Sequence, residues 1–215
     1  MSEQSFKCNS KRIQFLFPSF PDPVKKAIKY DREGLYSATD LKTAVHMTNI
    51  LSDLCWRHFR EPACTMSVMD CTAGIGGNTF ALGRHFREVV AVEIHRNRCH
   101  MLRHNVGAAG LEHKVRCIHD NVVNVVRDLK EALPSILYID PPWGGQNYRK
   151  EPLVHLQLSY KPLHVFIHSL PPKTLLAIKL PLNADLPQLT DSLHPGIRVE
   201  YLHKYRQMQM LVLLT

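Results

Sequence analysis

At 215 residues with 45% hydrophobic residues, the chain has the length and composition of one globular domain, which excludes wholesale disorder. Its apolar stretches are shorter than the roughly 18 to 20 residues of a transmembrane helix, and MSEQSFKCNSKR at its start lacks the apolar core of a secretory signal, so we expect an intracellular protein, nuclear or cytoplasmic, with no membrane partner. The formal net charge of +8 favours an anionic partner such as nucleic acid, whereas the six cysteines, which form no CxxC pair, favour reduced thiols and no metal site.

The N-terminal segment differs in pattern from the rest of the chain. Residues 1–36 are rich in Lys, Phe and Pro, which predicts an irregular arm packed on a larger body. Apolar residues then recur with a helical period through residue 55, and Thr39 or Asp40 is the expected N-cap of that helix. The sequence therefore predicts an arm over residues 1–38 and one domain over residues 39–215.

Strands and helices alternate through the rest of the chain. Short apolar runs predict strands over residues 67–70, 88–93, 114–119, 135–140 and 174–180. Helices are predicted from about residue 79, over 97–109 and 122–133, over 153–170 with a break near Pro162, and near Leu186. The last twenty or so residues, GIRVEYLHKYRQMQMLVLLT, predict an antiparallel hairpin. This alternation indicates an α/β fold with a parallel sheet covered on both faces.

A glycine-rich turn, DCTAGIGGNT, follows the first predicted strand. Its glycines allow a ligand to approach the backbone closely, but their spacing is neither GxGxxG nor GxxxxGK[ST], which argues against dinucleotide and nucleoside triphosphate sites. Glu93 ends the second strand, where a carboxylate can accept hydrogen bonds from ribose hydroxyls, and Asp120 follows the third strand, within reach of an adenine edge. Because parallel strands end at one edge of the sheet, we expect a nucleoside site there.

The strongest motif is DPPWGG, which follows the fourth predicted strand. A [DNS]PP[YFW] sequence at this place is typical of enzymes that methylate amino nitrogens on planar groups. The amine of guanine is a poor nucleophile because its lone pair is delocalised into the ring, and the Asp140 side chain and the Pro141 carbonyl can accept its N–H bonds and aim that lone pair. Pro141 and Pro142 stiffen the backbone, and Trp143 offers a π face to the base. We therefore predict that catalysis rests on Asp140, Pro141, Pro142 and Trp143.

The sequence resembles the trimethylguanosine synthase family, which methylates N2 of an RNA 7-methylguanosine cap. The segments that carry the resemblance are KYDREGLYSAT at residues 29–39, DCTAGIGGNT at 70–79, DPPWGGQNY at 140–148 and, more weakly, LPLNAD at 180–185. The resemblance implies a class I methyltransferase fold, of which a mixed seven-stranded sheet with a terminal antiparallel pair is the mark. It also implies S-adenosylmethionine as the methyl donor, S-adenosylhomocysteine as the product, no metal, and capped RNA as the partner of what we expect to be a monomer.

The same resemblance assigns roles by position. Trp143 would stack on the cationic 7-methylguanine, where a cation–π interaction contributes ~1 to 2 kcal/mol when desolvated. Lys29 and Tyr148 would meet the cap phosphates, so the arm would contribute to cap binding, and Thr39 would lie near the methionine end of the donor. The predicted substrate-binding residues are Lys29, Trp143, Tyr148 and Asn183. The predicted cofactor-binding residues are Thr39, Asp70, Ala73, Gly74, Gly77, Asn78, Thr79, Glu93, Asp120 and Asp140.

Two departures from the family pattern keep other functions open. The family commonly has Ser where this chain has Asp140, and a basic residue where this chain has Leu182, which puts the affinity for a cap in doubt. A guanine-N2 or adenine-N6 methyltransferase of ribosomal RNA, transfer RNA or DNA would share the glycine-rich turn and DPPW, but it has no reason to keep KYDREGLYSAT. A cap-binding module that has lost donor binding would not need the carboxylates of Asp70, Glu93 and Asp140.

Overall fold

The protein is built around one large sheet and one small hairpin. A computed structural model describes residues 10–145 and 147–215. The strands, in chain order, are β1 (Ser67–Asp70), β2 (Glu88–Glu93), β3 (Val115–His119), β4 (Ile136–Ile139), β5 (Gln157–Leu158), β6 (Lys161–Pro162), β7 (Leu175–Pro181), β8 (Arg198–Tyr205) and β9 (Met208–Leu214).

Seven strands form the sheet in the order β3-β2-β1-β4-β7-β9-β8, and β5 pairs only with β6. Strands β3, β2, β1, β4 and β7 run parallel to their neighbours, whereas β9 is antiparallel to both β7 and β8. The predicted mixed seven-stranded sheet and its terminal hairpin are therefore confirmed. The predicted bounds of the main strands hold to within one or two residues.

Helices cover both faces of this sheet. They are α1 (Ser10–Leu16), α2 (Asp22–Ala27), α3 (Arg32–Ser37), α4 (Leu41–Phe59), α5 (Gly77–His85), α6 (Arg96–Ala108), α7 (Val122–Leu129), α8 (Leu163–Ile167) and α9 (Leu186–Asp191). The longest, α4, begins where the sequence predicts, because the Asp40 side chain accepts a hydrogen bond from the amide of Thr43 at 3.1 Å. No helix among the described residues is long and apolar enough to cross a membrane.

The central strands read as continuous apolar runs because each face of the sheet packs against helices. All four residues of β4 and all seven of β7 are buried. One apolar core lies between the sheet and α4 and α5, and a second lies between the sheet and α7 and α8. Since β1 to β4 run parallel, Asp70, Glu93 and Asp140 all lie at the edge of the sheet where these strands end.

The N-terminal arm is more regular than predicted. Residues 10–37 form the three short helices α1, α2 and α3, and the prediction of an irregular segment is wrong for this part, while residues 1–9 lie outside the described chain. The phenyl rings of Phe17 and Phe20 pack on Phe80 of α5 with ring centroids 5.5 Å and 5.2 Å away. Each fully buried aromatic side chain of this kind contributes about 1.5 to 3 kcal/mol, which fixes the arm on the domain.

The predicted helix over residues 153–170 is also wrong. Val154, Leu156 and Leu158 are buried in alternation, which is the period of an extended chain, and the chain then turns back through the β5–β6 hairpin. Ser159 and Tyr160 form that turn with φ of 52° and 64°. Pro162, which cannot donate a helical hydrogen bond, precedes the short helix α8 rather than interrupting a long one.

Candidate active site

Asp70 fixes the glycine-rich turn from below. Its carboxylate is fully buried and accepts hydrogen bonds from the Thr79 hydroxyl at 2.7 Å and from the Thr72 amide at 3.4 Å. Burial raises the pKa of Asp70 to about 7, and the negative charges of Asp140 and Glu93 raise it further against the effect of these hydrogen bonds. In this arrangement Asp70 and Thr79 shape the turn rather than face a ligand.

Glu93 ties the end of β2 to the same turn. One of its oxygens accepts a hydrogen bond from the Gly74 amide at 2.9 Å, and the other accepts one from the His95 amide at 2.9 Å. Gly74 has a φ of +57°, and a side chain there would meet no atom within 4 Å. The surface above Gly74 is therefore open to a ligand, beside a carboxylate that still has lone pairs for hydroxyl groups.

The other predicted cofactor residues lie around this turn in different states. The Ala73 amide donates to the carbonyl of Val92 at 2.9 Å, which joins the turn to β2. Asn78 is buried, and its Oδ1 has no hydrogen-bond partner in the described part of the chain. Asp120 is exposed, and a hydrogen bond from the Asn124 side chain at 3.0 Å is the main cause of its lowered pKa.

These observations allow a test of whether the residues present fit S-adenosylmethionine. An unpaired buried acceptor such as Asn78 Oδ1 costs roughly 1 to 3 kcal/mol, which a donor from a ligand would offset. The open backbone at Gly74, the Glu93 carboxylate and the exposed Asp120 carboxylate suit a nucleoside. The turn therefore fits the predicted donor.

Asp140 occupies the end of β4, where it meets a residue that the sequence did not single out. Its Oδ2 lies 2.6 Å from Nζ of Lys179 on β7. The Lys179 ammonium also donates to the Thr39 hydroxyl at 2.8 Å, and that hydroxyl lies 3.4 Å from Oδ2. The Asp140 amide donates to the hydroxyl of Thr72 at 2.8 Å. Thr39 and Asp140, predicted from separate motifs, are thus brought together through Lys179.

Trp143 stands beside this cluster. Its indole is half-buried, its Nε1 has no partner among the described residues, and Lys179 Nζ lies 4.8 Å from the ring centroid. Tyr148 packs edge-on against it with ring centroids 5.1 Å apart. The Asn183 amide donates to the carbonyls of Tyr148 and Glu151 at 2.9 Å and 2.8 Å, so its two donors hold the loop that carries Tyr148.

The two prolines of the motif differ in exposure. Pro141 is buried and Pro142 is exposed. The chain between Asp140 and Trp143 therefore leaves the sheet for the surface over these two residues. This brings an aromatic side chain next to the carboxylate at the end of β4.

The arm is joined to the glycine-rich turn at two points. A side chain at Gly77 would come within 2.8 Å of the backbone of Thr39, so this glycine serves the close approach of the arm rather than of a ligand. The buried Asn105 side chain exchanges hydrogen bonds with the backbone of Lys29 at 2.7 Å and 2.8 Å, and it also donates to the Ile75 carbonyl at 3.0 Å. The Lys29 side chain itself is exposed.

Arg98 of α6 makes a third connection. Its guanidinium pairs with Asp31 and Glu33 of the arm at 2.9 Å each and approaches Glu93 at 3.9 Å. Burial alone would raise the pKa of Asp31, but the hydrogen bonds from Arg98 and from the Gly34 amide outweigh it, so the pKa is lowered. Asp31 and Glu33 belong to the KYDREGLYSAT segment, which explains in part why that segment contains acidic residues.

Sequence reasoning missed the residues that connect the motifs. Lys179 and Asn105 sit singly in an apolar strand and a basic helix, without a local pattern, and their partners are far away in the sequence. Arg149 follows Tyr148 directly and lies 3.1 Å from its hydroxyl, so adjacency to that residue could have identified it. No group of three or more His, Cys, Asp or Glu side chains in residues 10–145 and 147–215 is arranged to hold a metal ion.

Comparison with known proteins decides the family. Residues 65–213, from just before β1 to β9, match the model of a family described as RNA cap guanine-N2 methyltransferase. The chain belongs to this family. The resemblance that the motifs indicated is thereby confirmed, and the chain is a methyltransferase of the guanine-N2 RNA type.

Individual relatives are more distant. The chain is 26% identical over 199 residues to the uncharacterized protein L320 of Acanthamoeba polyphaga mimivirus, with 84% of this chain and 77% of the relative covered. A solved 16S rRNA guanine-N2 methyltransferase of T. thermophilus, RsmC in complex with AdoMet and guanosine, has a TM-score of 0.58 at 21% identity and covers 86% of this chain. A provisionally assigned methyltransferase of Porphyromonas gingivalis W83 has a TM-score of 0.67 at 18% identity and covers 97% of this chain.

These two solved proteins are longer than this chain, which spans 43% and 55% of their lengths. At such low identity the likeness shows the fold, which is that of class I S-adenosylmethionine-dependent methyltransferases. The predicted fold class is thus confirmed.

Proposed function

We propose that this methyltransferase transfers a methyl group from S-adenosylmethionine to the exocyclic N2 of 7-methylguanosine in an RNA cap, forming a di- or trimethylguanosine cap. The observation that carries the proposal is the cluster of Asp140 and Trp143 at the end of β4, at the same sheet edge as the glycine-rich turn. The family match supports the guanine-N2 chemistry, and the KYDREGLYSAT segment supports the cap.

The donor would bind over the glycine-rich turn. Glu93 would accept hydrogen bonds from the ribose, Asp120 would reach the adenine edge, and Asn78 Oδ1 would accept from a donor group of the ligand. The group supplies an electrophilic methyl on a sulfonium sulfur. Gly74 leaves the backbone open at this point, which supports close contact with the ligand.

The guanine amine would be held by Asp140. Its carboxylate and the Pro141 carbonyl would accept the two N–H bonds of N2, so that the nitrogen lone pair points towards the donor. Stacking on Trp143 would fix the plane of the base, and alignment of this kind supplies much of the rate enhancement in transfers between two bound partners. After transfer, N2 loses one proton and remains a neutral amine.

The cap phosphates would meet the basic side chains around the cleft. Lys29 extends from the arm into solvent, while Tyr148 stands next to Trp143. Arg149 adds an exposed guanidinium beside Tyr148, and its hydrogen bond with Tyr148 is the main cause of its raised pKa. These three side chains form the phosphate-binding part of the proposal.

Lys179 favours a second candidate function. Its ammonium lies 4.8 Å from the centroid of the Trp143 ring, so one face of the indole already has a cation. A second positive charge on the base gains less from such a ring than a neutral base loses by lacking it. The second candidate is therefore N2 methylation of an unmethylated guanine in another RNA.

Radiolabelled methyl transfer tests both candidates. The enzyme is incubated with labelled donor and either a 7-methylguanosine cap analogue or the same cap without the N7 methyl group. Preferential transfer to the N7-methylated cap is the expected result. Equal transfer to both caps would replace the proposal by the second candidate. Binding of the cap without any transfer would leave only a cap-binding module.

A further inference from the structure

We propose that Lys179 is a positioning residue for methyl transfer, because its ammonium holds one oxygen of Asp140 and thereby presents the other to the amine. The inference deepens the proposed function and rests on it for the identity of that amine. No motif includes Lys179, and the residue makes no contact with the glycine-rich turn among those described.

The ammonium is placed where a charge is costly unless it is paired. Lys179 lies within β7, pairs in register with Met210 of β9, and is only 4% exposed. It donates to Asp140 Oδ2 at 2.6 Å and to the Thr39 hydroxyl at 2.8 Å, and it lies over Trp143. Three separate parts of the site, the arm, the end of β4 and the aromatic side chain, therefore meet at one nitrogen.

This arrangement makes the two oxygens of Asp140 different. Oδ2 is engaged by Lys179 and approached by the Thr39 hydroxyl at 3.4 Å. Oδ1 accepts no hydrogen bond from any described residue, and the side chain keeps 14% exposure. A carboxylate held by one oxygen cannot rotate freely, so Oδ1 is the acceptor left in a fixed direction for an N–H group.

The ammonium also keeps this acceptor ionised. The charged or titratable groups around Asp140 are Lys179 on β7, Asp70 on β1, Glu93 on β2 and the buried phenol of Tyr138 on β4. Only the first is positive. Without it, two neighbouring carboxyl groups would favour proton uptake by Asp140, and a protonated carboxyl group offers one acceptor fewer to the amine.

A purely structural lysine would behave differently on substitution. Replacing a buried cation by an apolar side chain of similar length often leaves a fold as stable as before. Lys179→Met should therefore fold, and what it loses should be the state and direction of Asp140. A change in the pH dependence of the reaction separates the two possibilities, because packing alone does not move it.

The main experiment compares Lys179→Met and Lys179→Gln with the wild type. In both variants the rate of N2 methylation at neutral pH should fall by about 100-fold, the scale for a misplaced reacting group. The acid limb of the rate profile should move to higher pH by about one unit or more, because Asp140 loses its opposite charge. Binding of S-adenosylhomocysteine should stay within a factor of about three, since Lys179 does not touch the turn. Lys204→Met, which removes an exposed charge from β8, should leave rate and profile unchanged.

A second readout needs no substrate. In a Trp56→Phe background, Trp143 is the one tryptophan left, and its fluorescence reports the charges next to it. Its pH titration should shift when Lys179→Met is added. If the wild type methylates no guanine, the proposed function fails while this titration still tests the Lys179–Asp140 link. An unchanged acid limb together with an unchanged Trp143 titration in folded variants would overturn the inference.

Discussion

Nη2 of Arg98 lies 2.9 Å from Oδ2 of Asp31, and this ion pair joins helix α6 to the N-terminal arm. The same guanidinium approaches Glu93, which holds the glycine-rich turn through the Gly74 amide. Substrate-side and donor-side elements therefore share one buried cation. Asn105 repeats the connection a few residues further along α6, from Lys29 to Ile75. The arm and the donor turn are thus mechanically linked rather than independent attachments to the sheet.

Arg98→Met should weaken both elements at once. The variant leaves Asp31, Glu33 and Glu93 without their cation, and we expect a loss of about 2 kcal/mol in the free energy of unfolding, since two of the partners are solvated. Urea unfolding measures this loss, and calorimetry should show weaker binding of S-adenosylhomocysteine. Arg96→Met, at an exposed position of the same helix, is the control. Loss of stability with unchanged ligand affinity would show that Arg98 holds the arm alone.

Glu93→Ala should reduce donor binding more directly. The substitution removes the carboxylate proposed for the ribose and also frees the Gly74 amide, which is held at 2.9 Å. We expect binding of S-adenosylhomocysteine to weaken by roughly 1 to 3 kcal/mol, the order of lost charged hydrogen bonds. Calorimetry against Glu88→Ala, an exposed residue at the start of the same strand, measures the effect. Equal affinity in both variants would remove Glu93 from the donor site.

The sequence predicts this edge of the sheet well because the governing patterns are local. Strand periodicity, a glycine-rich turn and carboxylates at strand ends place Asp70, Glu93 and Asp140 together without any knowledge of distant contacts. Lys179 could not be predicted in the same way. Its partner Thr39 is 140 positions away, and an isolated lysine in TLLAIKL looks like a solvated interruption of an apolar strand.

The errors in secondary structure have a similar origin. Residues 153–170 combine an alternating pattern with a helical one, and the long apolar stretch suggests one helix although its first half is extended. In the arm, the short helices depend on burial of Phe17 and Phe20 against α5, which no local propensity reveals. Tertiary contact decides the conformation in both segments.

Asp140→Ala should lose methyl transfer while it retains donor binding. The amine loses its main acceptor, so the rate should fall by about 100-fold or more, whereas S-adenosylhomocysteine should bind nearly as in the wild type. The substitution also leaves the Lys179 ammonium buried without its carboxylate, which costs about 3 to 5 kcal/mol of stability. The double variant Asp140→Ala/Lys179→Met removes both charges and is the matched control for folding. Near-normal turnover in either variant would show that the Pro141 carbonyl and stacking suffice.

Asp70→Asn should change the dependence of stability on pH. The pKa of Asp70 is raised from its ordinary value of 3.8 to about 7, so between these values the folded protein binds a proton that the unfolded chain has lost. Stability from this group is therefore full below about pH 4 and is lost as pH rises to about 7. Relative to the variant, the wild type should lose about 3 to 4 kcal/mol over this window. Urea unfolding at several pH values measures the difference, with the exposed Asp128→Asn as control. Parallel stability curves for wild type and Asp70→Asn would contradict the assignment.

Recognition of the cap should depend on Trp143 and Lys29 in different ways. An indole face prefers the cationic 7-methylguanine to neutral guanine, so Trp143→Ala should cost ~1 to 3 kcal/mol of cap binding, and Trp143→Phe should keep part of it. Trp56→Ala, at an exposed tryptophan of α4, controls for the loss of an indole elsewhere. Lys29→Ala should weaken triphosphate-bearing caps more than the bare 7-methylguanosine nucleoside, and its effect should shrink as salt rises, because an exposed lysine acts on phosphates through screened attraction. Binding of each variant to N7-methylated and unmethylated caps is measured after circular dichroism shows that it is folded. A drop in thermal stability without any change in ligand preference would make Trp143 a packing residue. Absence of a preference for the N7-methylated cap in the wild type would direct the search to other guanine-N2 RNA substrates.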